Sequence, residues 1–294
     1  MNVLTPHRAD EWLQRDAPAP VKMTAEQMLA ANAALPPHTK LILARNGEPR
    51  LRLERPLDPD RDLDAETSAA FERAMSLLTE PCITAEDAED AENAEKGETN
   101  TRQRGDAFTL RFQLSASSAS FVSSADHSAD SALNRPDSQA LTLTAIADLC
   151  AEAGWTPTLR ETRVTADLDC ADFFQAQLTP LGGGLAIRVE VAQLGAAGAE
   201  SAEAAREFLL RAGGLVRFAR PVVIAGAAIF EVTFSTQPTA MEIGDALGAL
   251  SIACRLAGRE TALLAGDENI AREYRAMLAR ITSRGLQTTT TKGT

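Results

Sequence analysis

The sequence predicts an α+β protein in which helices pack on antiparallel sheet, with a larger C-terminal module and a smaller helix-hairpin-helix portion near the N-terminus. Three observations predict it. Apolar residues alternate with period two through Leu185, Ile187, Val189 and Val191 and through Phe230, Val232 and Phe234, as in strands with one buried face. Others recur at helical spacing, as in Ile243, Leu247, Leu250 and Cys254. Strand runs follow one another across short turns rather than alternating singly with helices, which favours antiparallel pairing.

From the N-terminus, Thr24 can cap a short helix that must end before Pro36-Pro37. LILARNGEPRLRL then gives two apolar runs joined around Asn46-Gly47, a strong hairpin signal. Leu51 and Leu53 face inward, while Arg50, Arg52 and Glu54 face water. Ala70, Phe71, Ala74, Met75 and Leu78 mark a helix ending near Pro81. Seven acidic residues between Glu86 and Glu98, and then the Ser-rich stretch 115–139, have little apolar surface and read as solvated linker. Between them FTLRFQL (108–114) alternates like a strand.

In the C-terminal portion Leu143, Ile146, Leu149, Cys150 and Ala153 form one helix face, and Gly154-Trp155 suits a left-handed cap. Three strands are expected next: an edge strand in TPTLRETRVTADL (156–168), FFQAQL (173–178) and LAIRVEVAQL (185–194). A helix capped by Ser201 runs to Gly213-Gly214, and LVRFARPVVI and AAIFEVTFS pair after it. Helices over 239–256 and 260–281 complete the module, and LQTTTTKGT reads as a disordered tail. The resulting division is 1–80, a linker at 81–139, a module at 140–283 and a tail at 284–294.

The element order and three stretches, LTLTAIADLCAEAGW, GLAIRVEVAQL and FLLRAGGLVRFARPVVIAGAAIFEVTFSTQPTAMEIGDALGAL, resemble the type III secretion chaperone-like fold, which also houses YbjN-like proteins. The resemblance spans about half of the chain and implies a small α+β module that binds protein segments and commonly dimerises. The extra N-terminal part departs from the single small domain usual among secretion chaperones. There is also an internal echo: residues 24–78 and 201–253 each read as capped helix, strand, turn, strand, helix.

Composition narrows the function. The 294 residues carry 29 basic and 41 acidic side chains, a net charge of −12 that repels nucleic acid and anionic lipid. Four dispersed cysteines without a C-x-x-C pair fit reduced thiols, and no apolar run reaches membrane-span length, so a cytoplasmic protein with neither nucleic-acid nor membrane partner is expected.

Catalytic chemistry finds little purchase. His7, His38 and His127 all lie outside the well-patterned module. The glycines at 182–184 open a strand rather than a helix, so they read as a hairpin loop and not a phosphate cradle. Asp167, Asp169 and Asp172 around Cys170 lack the glycine and distal Glu of a calcium loop. Arg206, Arg211, Arg217 and Arg220 concentrate basic charge, either as a patch for an acidic partner or as scattered solvated charges.

These readings converge on a non-enzymatic protein-binding module, chaperone-like or adaptor, without cofactor or metal. It would hold a partner segment or self-associate, as a homodimer or as an intramolecular pseudo-dimer. Candidate contact residues are Ile243, Leu247 and Leu250 on the 239–256 helix, with Arg217 and Arg220 beside them. The alternative is an enzyme or small-molecule binder with its site between the two portions. Limited proteolysis should cut first within 83–106 or 115–138; first cleavage inside 185–234 would contradict the domain division.

Overall fold

The structure is a computed structural model that describes residues 12–44, 46–56, 63–79, 141–170 and 174–289. The linker at 81–139 with its strand at 108–114, Cys82 and Asp172 lie outside the described residues. The chain is α+β, with a three-stranded and a six-stranded sheet, both antiparallel. No helix among the described residues is long and apolar enough to cross a membrane.

The N-terminal part begins with a strand, β1 (Trp12–Pro18), that carries no alternating pattern because its described side chains are exposed or half-exposed. Helix α1 (Ala25–Ala34) starts from a complete capping box, Thr24 with Gln27, and stops ahead of Pro36. Strands β2 (Thr39–Leu43) and β3 (Pro49–Pro56) form the expected hairpin, with Gly47 at φ 84 supplying the left-handed turn residue. Helix α2 (Leu63–Thr79) follows. The sheet order is β1-β3-β2.

After the linker comes α3 (Leu143–Glu152), capped by Thr142 and closed by Gly154 at φ 85. The stretch read as a single edge strand is a hairpin, β4 (Pro157–Leu159) and β5 (Val164–Asp167). Strands β6 (Gln175–Leu181) and β7 (Gly184–Gln193) continue the sheet. Helix α4 (Ala199–Gly213) begins two residues before the expected Ser201 cap, on Gly198 without a side-chain cap, and Ser201 is buried instead. Strands β8 (Arg220–Ile224) and β9 (Ala227–Phe234) complete the order β4-β5-β6-β7-β9-β8.

The C-terminal helices break elsewhere than expected. Helix α5 (Ala240–Ala253) passes through a π-helical turn at Cys254–Gly258 directly into α6 (Arg259–Gly266). A side chain at 258 would collide with the Phe174 ring, so the glycine lets the bulged turn lie on that ring. The true break is Asp267, whose carboxylate accepts from the backbone N–H groups of Asn269 and Ile270 and starts α7 (Glu268–Thr289). That helix extends past residue 283, where the sequence reading placed the tail.

Two stretches of the chain have the same topology. β1-α1-β2-β3-α2 and β7-α4-β8-β9-α5 share element order, and their sheets are ordered β1-β3-β2 and β7-β9-β8, antiparallel throughout. Strand β1, which lies outside the echo, is the counterpart of β7. The two stretches pack reciprocally: α1 lies on β8, α4 lies on β2, α1 touches α4, and β2 touches β8. Such exchange of equivalent contacts is the pattern of an isologous dimer interface, here within one chain. Its consequence is burial on both faces of β9, every residue of which is buried. Ala33 of α1 packs with Val222, Ala227 and Ile229, so the N-terminal unit covers a face that the C-terminal module by itself would leave open.

Candidate functional site

The reciprocal interface is organised by charge. Lys40 interrupts the apolar run of β2, and its ammonium lies 2.8 Å from Glu54 on β3, both side chains under 5% exposed. It also donates to the carbonyls of Val216 and Ala219, beyond the C-terminus of α4. The second unit does the converse. Arg220 on β8 pairs with Glu231 of β9 at 2.7 Å and donates to the carbonyl of Leu35 at 2.6 Å, beyond the C-terminus of α1. Each cation thus pairs with a carboxylate of its own sheet and donates to backbone carbonyls at or just past the end of the other unit's helix.

Further bonds cross the same interface. The Phe218 N–H donates to Glu54, Arg52 donates to the Gly214 carbonyl, and Asn32 donates to the carbonyls of both Leu41 and Pro221. His38 and Phe218 stack at 5.6 Å with their planes 13° apart, and both have left-handed backbones, φ 66 and 69. Two residues later in each unit come Lys40 and Arg220. Burial pushes the Lys40 ammonium below its ordinary pKa, with Glu54 opposing.

Polar groups therefore do converge between the two portions. The cavity among His38, Lys40, Glu54, Arg220 and Glu231 measures about 10 Å³, room for roughly one water. A more open depression of about 290 Å³ beside it is lined by Pro36, Pro37, Leu53 and Arg73.

The residues singled out from sequence are placed as follows. Ile243, Leu247 and Leu250 are fully buried, because α5 packs on α3, β7 and β9; they are core and present no surface. Arg220 belongs to the interlock, and Arg217 is exposed. Arg211 pairs with Glu207 at 2.8 Å and Arg206 with Glu26 at 3.5 Å, so the basic concentration is divided among acidic neighbours instead of forming a patch. Glycines 182–184 sit at the β6–β7 hairpin. Asp167 accepts from Gln175, Asp169 lies beside Arg255, and no metal-binding group of three side chains occurs among the described residues. Cys150 and Cys254 are buried, their thiols pushed up to about 11 and about 12 by desolvation.

Comparison with family models, curated proteins and solved structures yields no match. The chain's own surface must carry the functional argument.

The surplus apolar surface expected on the 239–256 helix lies on α6 and α7 instead. Leu263, Ile270, Met277 and Ile281 are 44%, 38%, 48% and 54% exposed. With Phe208 and Tyr274 at its base, the α6–α7 face forms an open groove of about 640 Å³, edged by Glu260, Glu273 and Arg280. Among the described side chains of α7 Ala271 alone is fully buried, and Tyr274 meets Phe208 edge-on at 5.8 Å. Sequence reading recognised a helix over 260–281 but placed the contact surface on the 239–256 helix. Periodicity identifies an apolar face without saying what covers it.

The interlock has a measurable signature. Lys40→Met leaves the Glu54 carboxylate buried without its cation and should cost roughly 3–5 kcal/mol, whereas Lys40→Met combined with Glu54→Gln should recover more than about 1 kcal/mol of that loss. Urea unfolding checks both; a single variant within about 1 kcal/mol of the parent would contradict the assignment.

Proposed function

We propose that this chain is a non-enzymatic protein-binding module, chaperone-like or adaptor, and that its binding surface is the α6–α7 face. The carrying observation is the exposure of Leu263, Ile270 and Met277 along an open groove of about 640 Å³, with Ile281 exposed four residues further along α7. Clustered apolar exposure of this kind, rimmed by Glu273 and Arg280, suits an amphipathic helix laid in a groove. The resemblance of residues 141–278 to the type III secretion chaperone-like fold supports the same reading, since it implies a module that binds protein segments and dimerises. Two like units packed reciprocally within one chain satisfy that pairing internally, which leaves the α6–α7 face for a partner.

An enzyme or small-molecule binder with its site between the two portions has weaker support. The groups that converge there are consumed in intrachain pairs around a space for about one water.

A photo-reactive residue at position 277 should crosslink to protein in the native host, while one at Leu159, equally exposed at the sheet edge, should not. Equal labelling at both positions, or none at 277, would contradict the assigned surface.

A further inference from the structure

We propose that the occupant of the α6–α7 face is a second copy of this chain, the two α7 helices pairing antiparallel about a twofold axis. The inference rests on the reading of that face as a binding surface and names its partner. Ile270, Tyr274, Met277 and Ile281 follow the 4-3-4 spacing of a coiled-coil seam, and three of the four are more than a third exposed. An antiparallel arrangement that sets Met277 against Tyr274 of the second copy sets Ile270 against Ile281 as well, because Ile270 lies four residues before Tyr274 and Ile281 four after Met277. The seam is therefore self-complementary, as a twofold interface requires.

Charge selects the same arrangement. Glu273 and Arg280 edge the groove on one side of the seam, seven residues apart. Glu268 and Arg272 pair with each other at 3.6 Å, whereas Glu273 and Arg280 have no such ion pair among the described residues. In the antiparallel pair each Glu273 lies beside Arg280 of the second copy, and the contact occurs twice. A parallel pair would instead set Glu273 beside Leu278 of the second copy, where it meets no opposite charge. The acidic rim is reinforced by Glu260 of α6, near the start of the groove, where the basic C-terminal half of the second helix would lie. The seam from 270 to 281 spans roughly 18 Å of helix at 1.5 Å per residue, enough for three turns in contact.

Sedimentation velocity on the full chain tests this. The parent should sediment as twice 31.3 kDa. Glu273→Arg sets arginine against arginine and should weaken association at least tenfold, and Met277→Glu should do likewise. Glu273→Arg with Arg280→Glu reverses both charges together and should restore the dimer. All these positions are solvent-exposed, so circular dichroism should be unchanged. A dimer indifferent to both single variants, or a double variant that stays monomeric, would overturn the proposal. A monomeric parent would also overturn it. In that case crosslinks from position 277 to another protein would leave the binding surface standing, and their absence would remove both.

Discussion

Two cations, Lys40 and Arg220, are buried by the docking of the two units of the chain and must find all of their partners there. Removing a charge from water costs several kcal/mol, and the carboxylate within each sheet offsets only part of that. The remaining donors are satisfied by carbonyls at the end of the opposite unit's helix. Undocking would return those donors and carbonyls to water, so the docked state has to supply every partner that water would. Buried ion pairs of this kind contribute little net stability over an apolar substitute; here their effect is to fix one register between α1 and β8 and between α4 and β2.

That constraint shapes the surface available for function. The pseudo-twofold packing buries both faces of β9 and covers the Val222–Ile229 face with α1. Strand β8, which would otherwise be an open sheet edge, runs beside β2. Among the described residues, exposed apolar side chains of α6 and α7 line one groove.

Much of the fold was legible because its signals are local. The Thr24 capping box, the Asn46-Gly47 turn and the alternation in β7 and β9 each act over a few residues. Strand β1 was not legible, since its described side chains are not buried and it is held by the ladder to β3 and by the Asp16–Arg52 pair. The charge interlock was equally hidden. Lys40 and Glu54 read as solvent-facing alternation until α4 is brought over them from well over a hundred residues away. The exposed apolar face of α6 and α7 was half legible: the helix over 260–281 was read, but whether Ile270 and Met277 or Ile243 and Leu247 stay exposed depends on tertiary packing that no window of sequence contains.

If the interlock unites both units, they must unfold together. Native-state hydrogen exchange at two amides tests this directly: Leu41, whose N–H is held by Asn32, and Phe218, whose N–H is held by Glu54. The account predicts that both exchange with the same opening free energy, equal to that of global unfolding. Exchange of Leu41 at a markedly lower free energy, while strand β7 amides such as Val189 stay protected, would show an N-terminal unit that opens independently and would contradict the interlock.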